Sequence, residues 1–143
     1  MENFIDKDKE VKIIFKNQNF LVINKPANLL VHPTKSSSEI TLVDILLKLY
    51  PEIKDVGEDP LRPGIVHRLD KEVSGLMIIP LNQLAFNHFK NEFKNQRIKK
   101  EYLALVHGKI KEGGIITLPL AKKRGKVLLA KRIDLDKIKE SWT

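Results

Sequence analysis

Arg62 to Pro80 reads RPGIVHRLDKEVSGLMIIP, two apolar runs with a charged turn between them. Ile65-Val66 and Leu76 to Ile79 have the composition of short buried strands, and Val73-Ser74-Gly75 permits a tight reversal. The intervening residues then project from a sheet edge, where a rigid scaffold can present a side chain. Asp70 follows His67 and Arg68 and precedes Lys71, so a carboxylate is set among positive charges. On extended backbone Arg68 and Asp70 share a face. That geometry serves a structural ion pair, or a carboxylate kept ionised by Arg68 and Lys71 for use as nucleophile or general base.

Outward from this stretch, the chain alternates strand and helix signals. Val11 to Phe15 and Phe20 to Ile23 are β-branched and aromatic runs separated by Lys16-Asn17-Gln18-Asn19, which predicts a hairpin. The second run leads into a strand-edge loop, Asn24-Lys25-Pro26-Ala27-Asn28, that carries Lys25. Lys35 to Glu39 reads as a serine-rich loop without a nucleophile elbow or phosphate-loop pattern. Thr41 and Asp44 resemble a capping box ahead of Leu42, Ile45, Leu46 and Leu49, predicting a helix from about Leu42 to Tyr50. Pro51 ends it, and Glu52 to Pro63 is expected to cross the surface as an irregular loop.

A second helix is expected over Leu81 to Asn95, with Ala85, Phe86, Phe89 and Phe93 on one face. Their spacing fits core packing rather than base stacking. Glu101 to Val106 reads as a buried strand preceded by the basic Arg97, Lys99 and Lys100, and Ile115 to Leu120 as a further strand before the basic run AKKRGK. Together these elements predict an α+β fold with a mixed, mainly antiparallel sheet and flanking helices.

The 143 residues, 42 % of them hydrophobic, can fill one core. They are read as one domain over 11–143 after a polar lead-in, 1–10. Lys and Arg number 26 against 18 Asp and Glu, and the formal charge of +8 favours a polyanion such as nucleic acid, the bland alternative being a lysine-rich solvated face. The chain has no cysteine, which excludes disulfides, thiolate catalysis and cysteine-ligated metal and fits a reducing cytoplasm. No signal core and no apolar run approaching roughly 18 residues is present, so no membrane partner is expected. His67 and Asp70 could join His32, His88 or His107 around a metal, but the histidines show no ligand spacing, and no metal is expected. Tyr102 is either a core aromatic or a base-stacking one. Lys122, Lys123, Arg124 and Lys126 are read as phosphate contacts.

In order, these segments resemble the RluA-type pseudouridine synthases. Asn24 to Pro33, NKPANLLVHP, looks like the family's first motif, and Arg62 to Leu76, RPGIVHRLDKEVSGL, like its second. Arg97 to Gly108, RIKKEYLALVHG, resembles the segment with the active-site tyrosine, and Gly114 to Lys126 the following strand and basic loop. The resemblance implies that Asp70 is the catalytic carboxylate, that Arg68 helps open the RNA and fill the space of the displaced uridine, and that Tyr102 contacts the target base. RNA contacts are expected from His67, Lys71, Lys25, Arg97, Lys99, Lys100 and the Lys122 to Lys126 cluster. The family breaks the glycosidic bond of an RNA uridine, rotates the base and rejoins it through carbon, without a cofactor. Addition of the aspartate to the sugar carbon and removal of a sugar proton both remain open. The implied substrate is ribosomal or transfer RNA, and the implied state a cytoplasmic monomer.

Two positions depart from the family pattern. Asn28 stands where glycine is usual, a mild change because asparagine also tolerates left-handed backbone. The family's arginine-bearing last motif has no counterpart before Thr143. The chain is therefore read as the amino-terminal part of a catalytic domain, poorly stable and weakly active in isolation, with a silent RNA-binding remnant as the alternative. Full turnover by a cooperatively unfolding 143-residue protein would overturn that expectation.

Overall fold

Asn17 makes the first reversal of the chain: its Oδ1 accepts from the backbone N–H groups of Asn19 and Phe20 at 2.8 and 2.9 Å, a side-chain substitute for a backbone turn. On either side run β1 (Lys12–Lys16) and β2 (Phe20–Lys25), antiparallel as the hairpin reading requires. The register shifts between Ile13 and Phe15, and this irregularity lies on an edge strand of the described sheet, where bulges discourage further pairing. The computed structural model describes residues 10–34, 39–117, 120–123 and 126–129. Most of the lead-in, the serine tract 35–38, Arg124 and residues 130–143 lie outside them.

The third strand, β3 (Gly75–Pro80), pairs antiparallel with β2, giving the order β1-β2-β3. All the pairings described are antiparallel, in line with a mainly antiparallel sheet. Alternation along β2 turns Leu21, Ile23 and Lys25 to the buried side. There Leu21 and Ile23 meet Met77 and Ile79 of β3, Leu29 and Val31 of the following loop, and Leu42, Ile45 and Leu46 of helix α1 (Leu42–Leu49).

Helix α1 begins where Thr41 and Asp44 predict. The Asp44 backbone N–H donates to the Thr41 hydroxyl and the Thr41 N–H donates to the Asp44 carboxylate, closing the capping box. Two more N-terminal donors, those of Leu42 and Val43, reach the carbonyls of Leu30 and Val31 at 2.7 and 3.0 Å. The helix start is thereby tied to the loop that leaves β2. Thr41→Ala is expected to cost about 1–2 kcal/mol, read as a lower urea midpoint at unchanged slope. An unmoved midpoint would show that the cap is dispensable.

Five regions differ from the sequence reading. Pro51 ends α1 but opens a 3-10 turn, Pro51–Asp55, whose Ile53 is fully buried, so this connection plugs the core rather than only crossing the surface. Ile65-Val66 is not a strand. The Ile65 N–H closes a turn on the Arg62 carbonyl, and Gly64, at φ 68°, donates to Val56, which curls the backbone away from a ladder. The reversal before β3 starts earlier than Val73: the Val73 N–H donates to the Asp70 carbonyl, so Asp70 is itself the first residue of the turn. Glu101 to Val106 and Ile115 to Thr117 are not strands and are exposed. An alternating apolar pattern becomes a strand only beside a partner, and no described strand pairs with either segment.

Helix α2 (Gln83–Lys94) is capped by Asn82, whose side chain accepts from the Ala85 N–H. Its apolar face packs as predicted: Ala85 and Phe86 are buried, and Phe89 meets Phe20 edge-on at 5.1 Å between ring centroids. The chain forms two compact units, 1–99 and 100–143. In the second, β4 (Leu120–Lys123) pairs antiparallel with β5 (Lys126–Leu129), with Lys123 opposite Lys126. Lys122, Lys123 and Lys126 of the expected basic loop thus lie in paired strands.

Candidate active site

The strand register decides what lies beneath Asp70. Lys25, last in β2, pairs with Gly75, first in β3, so its buried side chain sits below the segment that enters β3. Its ammonium donates to the carbonyls of Pro26 and Leu29 at 2.9 Å and of Lys71 at 3.2 Å. Three donors and three acceptors match the capacity of an ammonium group. Burial pushes its pKa below the usual 10.5, and the nearby carboxylates of Glu72 and Asp70 oppose that shift. Lys25 was expected to contact RNA, but at 0 % exposure it cannot reach a phosphate. It is an internal brace, tying the β2 loop to the backbone of Lys71.

Asn28 bends that loop. Its φ of 61° is the left-handed conformation anticipated from the glycine-like position, and it lets the chain double back so that the Leu29 carbonyl meets Lys25.

Above the brace, His67 and Leu69 are partly buried while Arg68 and Asp70 are exposed, the alternation of extended backbone. The expected shared face is present: the Arg68 guanidinium lies 3.9 Å from Asp70 Oδ1, with the side chains 62 % and 78 % exposed. Such a pair is weak and accessible. Lys71 does not join it. Its ammonium pairs with Glu39 at 2.8 Å, which corrects the picture of Asp70 flanked by two cations. The site offers the Asp70 carboxylate and the Arg68 guanidinium to solvent, at the start of a turn and near a buried cation.

His67 also differs from its expected RNA contact. Its Nε2 accepts from the Ile78 backbone N–H at 3.0 Å, and its ring lies on Phe93 of α2, 4.5 Å between centroids and 25° between planes. The aromatic face of α2 therefore supports the Asp70 segment as well as the core.

Of the other basic residues, Arg97 is exposed and paired with Glu92, and Lys99 is exposed at the end of the first unit. Lys100 and Tyr102 belong to the second unit and are exposed, Tyr102 to 58 %, which removes its core alternative. Lys122 and Lys123 lie in β4 and Lys126 in β5, while Arg124 falls outside the described residues. Among the described residues, no three His, Asp or Glu gather as a metal cluster, and no helix is long and apolar enough to cross a membrane.

Comparison with known proteins bears on this arrangement. The model of the family described as RNA pseudouridylate synthase matches residues 19–141, a span that contains β2, the Asp70 segment and Tyr102. The ribosomal large subunit pseudouridine synthase D of Buchnera aphidicola is 42 % identical over 110 residues, which cover 77 % of this chain and 34 % of that protein. The protein of the same name from Haemophilus ducreyi is 37 % identical over 112 residues, 78 % of this chain and 33 % of its own. The chain thus spans about a third of the length of these curated relatives. Among solved structures, human RNA pseudouridylate synthase domain containing 4 superposes with a TM-score of 0.60 at 26 % identity, over 85 % of this chain and 48 % of that one. Human RNA pseudouridylate synthase domain containing 1 shares the fold, with a TM-score of 0.68 at 23 % identity, over 92 % and 49 % of the two chains.

Proposed function

We propose that this chain, which belongs to the RNA pseudouridylate synthase family as an RluA-type amino-terminal catalytic region, carries the catalytic aspartate of an enzyme that isomerises uridine to pseudouridine in RNA. The observation that carries the reading is Asp70: a carboxylate exposed at a turn, with Arg68 beside it, on a segment braced from below and inside the family match. Ribosomal large-subunit RNA is the proposed substrate, by analogy with the relatives' names.

The reaction moves one bond. The bond from the sugar carbon C1′ to base N1 breaks, the base turns, and C1′ bonds to C5; C5 releases its hydrogen as a proton and N1 gains one. Atoms and electrons balance without a cofactor. Asp70 is proposed to act at the sugar, and Arg68, exposed and weakly paired, to occupy the place of a uridine drawn out of the RNA. Tyr102 is proposed to stack on the extracted base, a role open to an exposed aromatic.

Loss of the C5 hydrogen supplies the assay. The protein expressed from its complete reading frame, given ribosomal RNA labelled with tritium at uridine C5, should release tritium in step with pseudouridine formation. RNA binding without release would overturn the enzymatic reading and favour a silent RNA-binding protein. Release from transfer RNA alone would redirect the substrate.

A further inference from the structure

The hydrogen bond between Ile78 and His67 fixes more than a distance. A backbone N–H can only donate, so the Nε2 it meets carries no hydrogen. The neutral ring must then hold its proton on Nδ1. Ile78 lies in β3, an edge strand of the described sheet, and His67 satisfies its N–H from the segment that presents Asp70. The ring also rests on α2, through the face of Phe93.

We propose that His67 is a positioning residue for the catalytic segment: its hydrogen-free Nε2, bonded to the Ile78 N–H, and its ring, seated on Phe93, set the direction in which Arg68 and Asp70 leave the sheet. Arg68 directly follows His67 on extended backbone. Rotation at His67 would therefore swing Arg68 and Asp70 together. Lys25 holds the far side of the segment through the Lys71 carbonyl, so the exposed pair lies between two side-chain anchors, one from the strand edge and one from the core. Neither anchor touches solvent-borne RNA in this arrangement. The catalytic consequence rests on the proposed function, whereas the anchoring itself does not.

Two replacements separate the parts of the ring. His67→Gln can put Oε1, the same number of bonds from Cα as Nε2, under the Ile78 N–H, but it has no ring. His67→Phe keeps the ring on Phe93 and leaves that N–H without an acceptor. With 15N-labelled histidine at mildly alkaline pH, one resonance pair, absent in His67→Gln, should show a pyridine-type Nε2 and a pyrrole-type Nδ1. Exchange of the Val73 amide, which closes the turn on Asp70, should be about five- to tenfold faster in His67→Phe than in His67→Gln. Turnover in His67→Phe should fall about 10- to 100-fold in kcat, with KM within about twofold, and His67→Gln should recover most of the loss. A hydrogen on Nε2, or a phenylalanine variant equal to wild type in exchange, overturns the proposal whether or not the protein forms pseudouridine. Absence of pseudouridine in wild type, with the predicted tautomer and exchange, overturns the proposed function and upholds the anchor.

Discussion

Asp70→Ala should lower tritium release by about three orders of magnitude or more, the scale on which enzymes lose rate when a residue of the reacting machinery is removed. The same change should leave the fold almost untouched. The Asp70 side chain is 78 % exposed and its contact with Arg68 is 3.9 Å, so the lost pair is worth less than about 1 kcal/mol. Its backbone carbonyl still accepts from Val73 after the substitution. RNA affinity should hold or rise, because removing a negative charge from the surface that meets phosphate weakens repulsion. The expected pattern is thus lost turnover, an unchanged urea midpoint and retained binding. Retained turnover would remove Asp70 from the reaction. A midpoint that falls with activity would make it a structural residue.

That separation of chemistry from stability is partly visible in the sequence. The capping residues Thr41 and Asp44 act locally, and α1 begins where they place it. The spacing of Phe86, Phe89 and Phe93 likewise states its own outcome, because helical period and burial coincide. Arg68 and Asp70 share a face because extended backbone leaves them no other choice. The same alternation places His67 with Leu69 on the inner side, and reading it to the end would have taken His67 out of the RNA contacts. In β2 it runs Leu21, Ile23, Lys25, so the lysine belonged to the buried face although its charge argued for the surface. What pattern could not supply was partnership. Lys71 chose Glu39, 32 residues away, and the Lys25 acceptors are backbone carbonyls, which no side-chain sequence encodes. Glu101 to Val106 failed as a strand for the same reason, since a ladder needs a neighbour that local composition does not specify.

Lys25→Met should destabilise the first unit by about 2–4 kcal/mol. Methionine fills a similar length without strain, so cavity formation is a minor part of the loss. The larger part is the loss of a charged donor by the Pro26, Leu29 and Lys71 carbonyls, of which the bond to Leu29 is buried and the other two are partly so. Lys25→Arg should recover little, because a planar guanidinium cannot aim three hydrogens at acceptors arranged around one nitrogen. The pH dependence has a definite sign. Burial holds the native Lys25 pKa below 10.5, so between those two values the unfolded chain binds more protons than the native one, and wild-type stability rises with pH across that window. Methionine has no proton to release. The wild-type advantage in urea midpoint should therefore widen as pH climbs from neutrality toward 10.5. An advantage that shrinks over the same range would mean the ammonium gains more from Glu72 and Asp70 than it loses by burial. Turnover adds an independent reading: where both proteins remain folded, Lys25→Met frees the Lys71 carbonyl beside Asp70, and kcat should fall while RNA affinity, which a buried side chain does not supply, stays level.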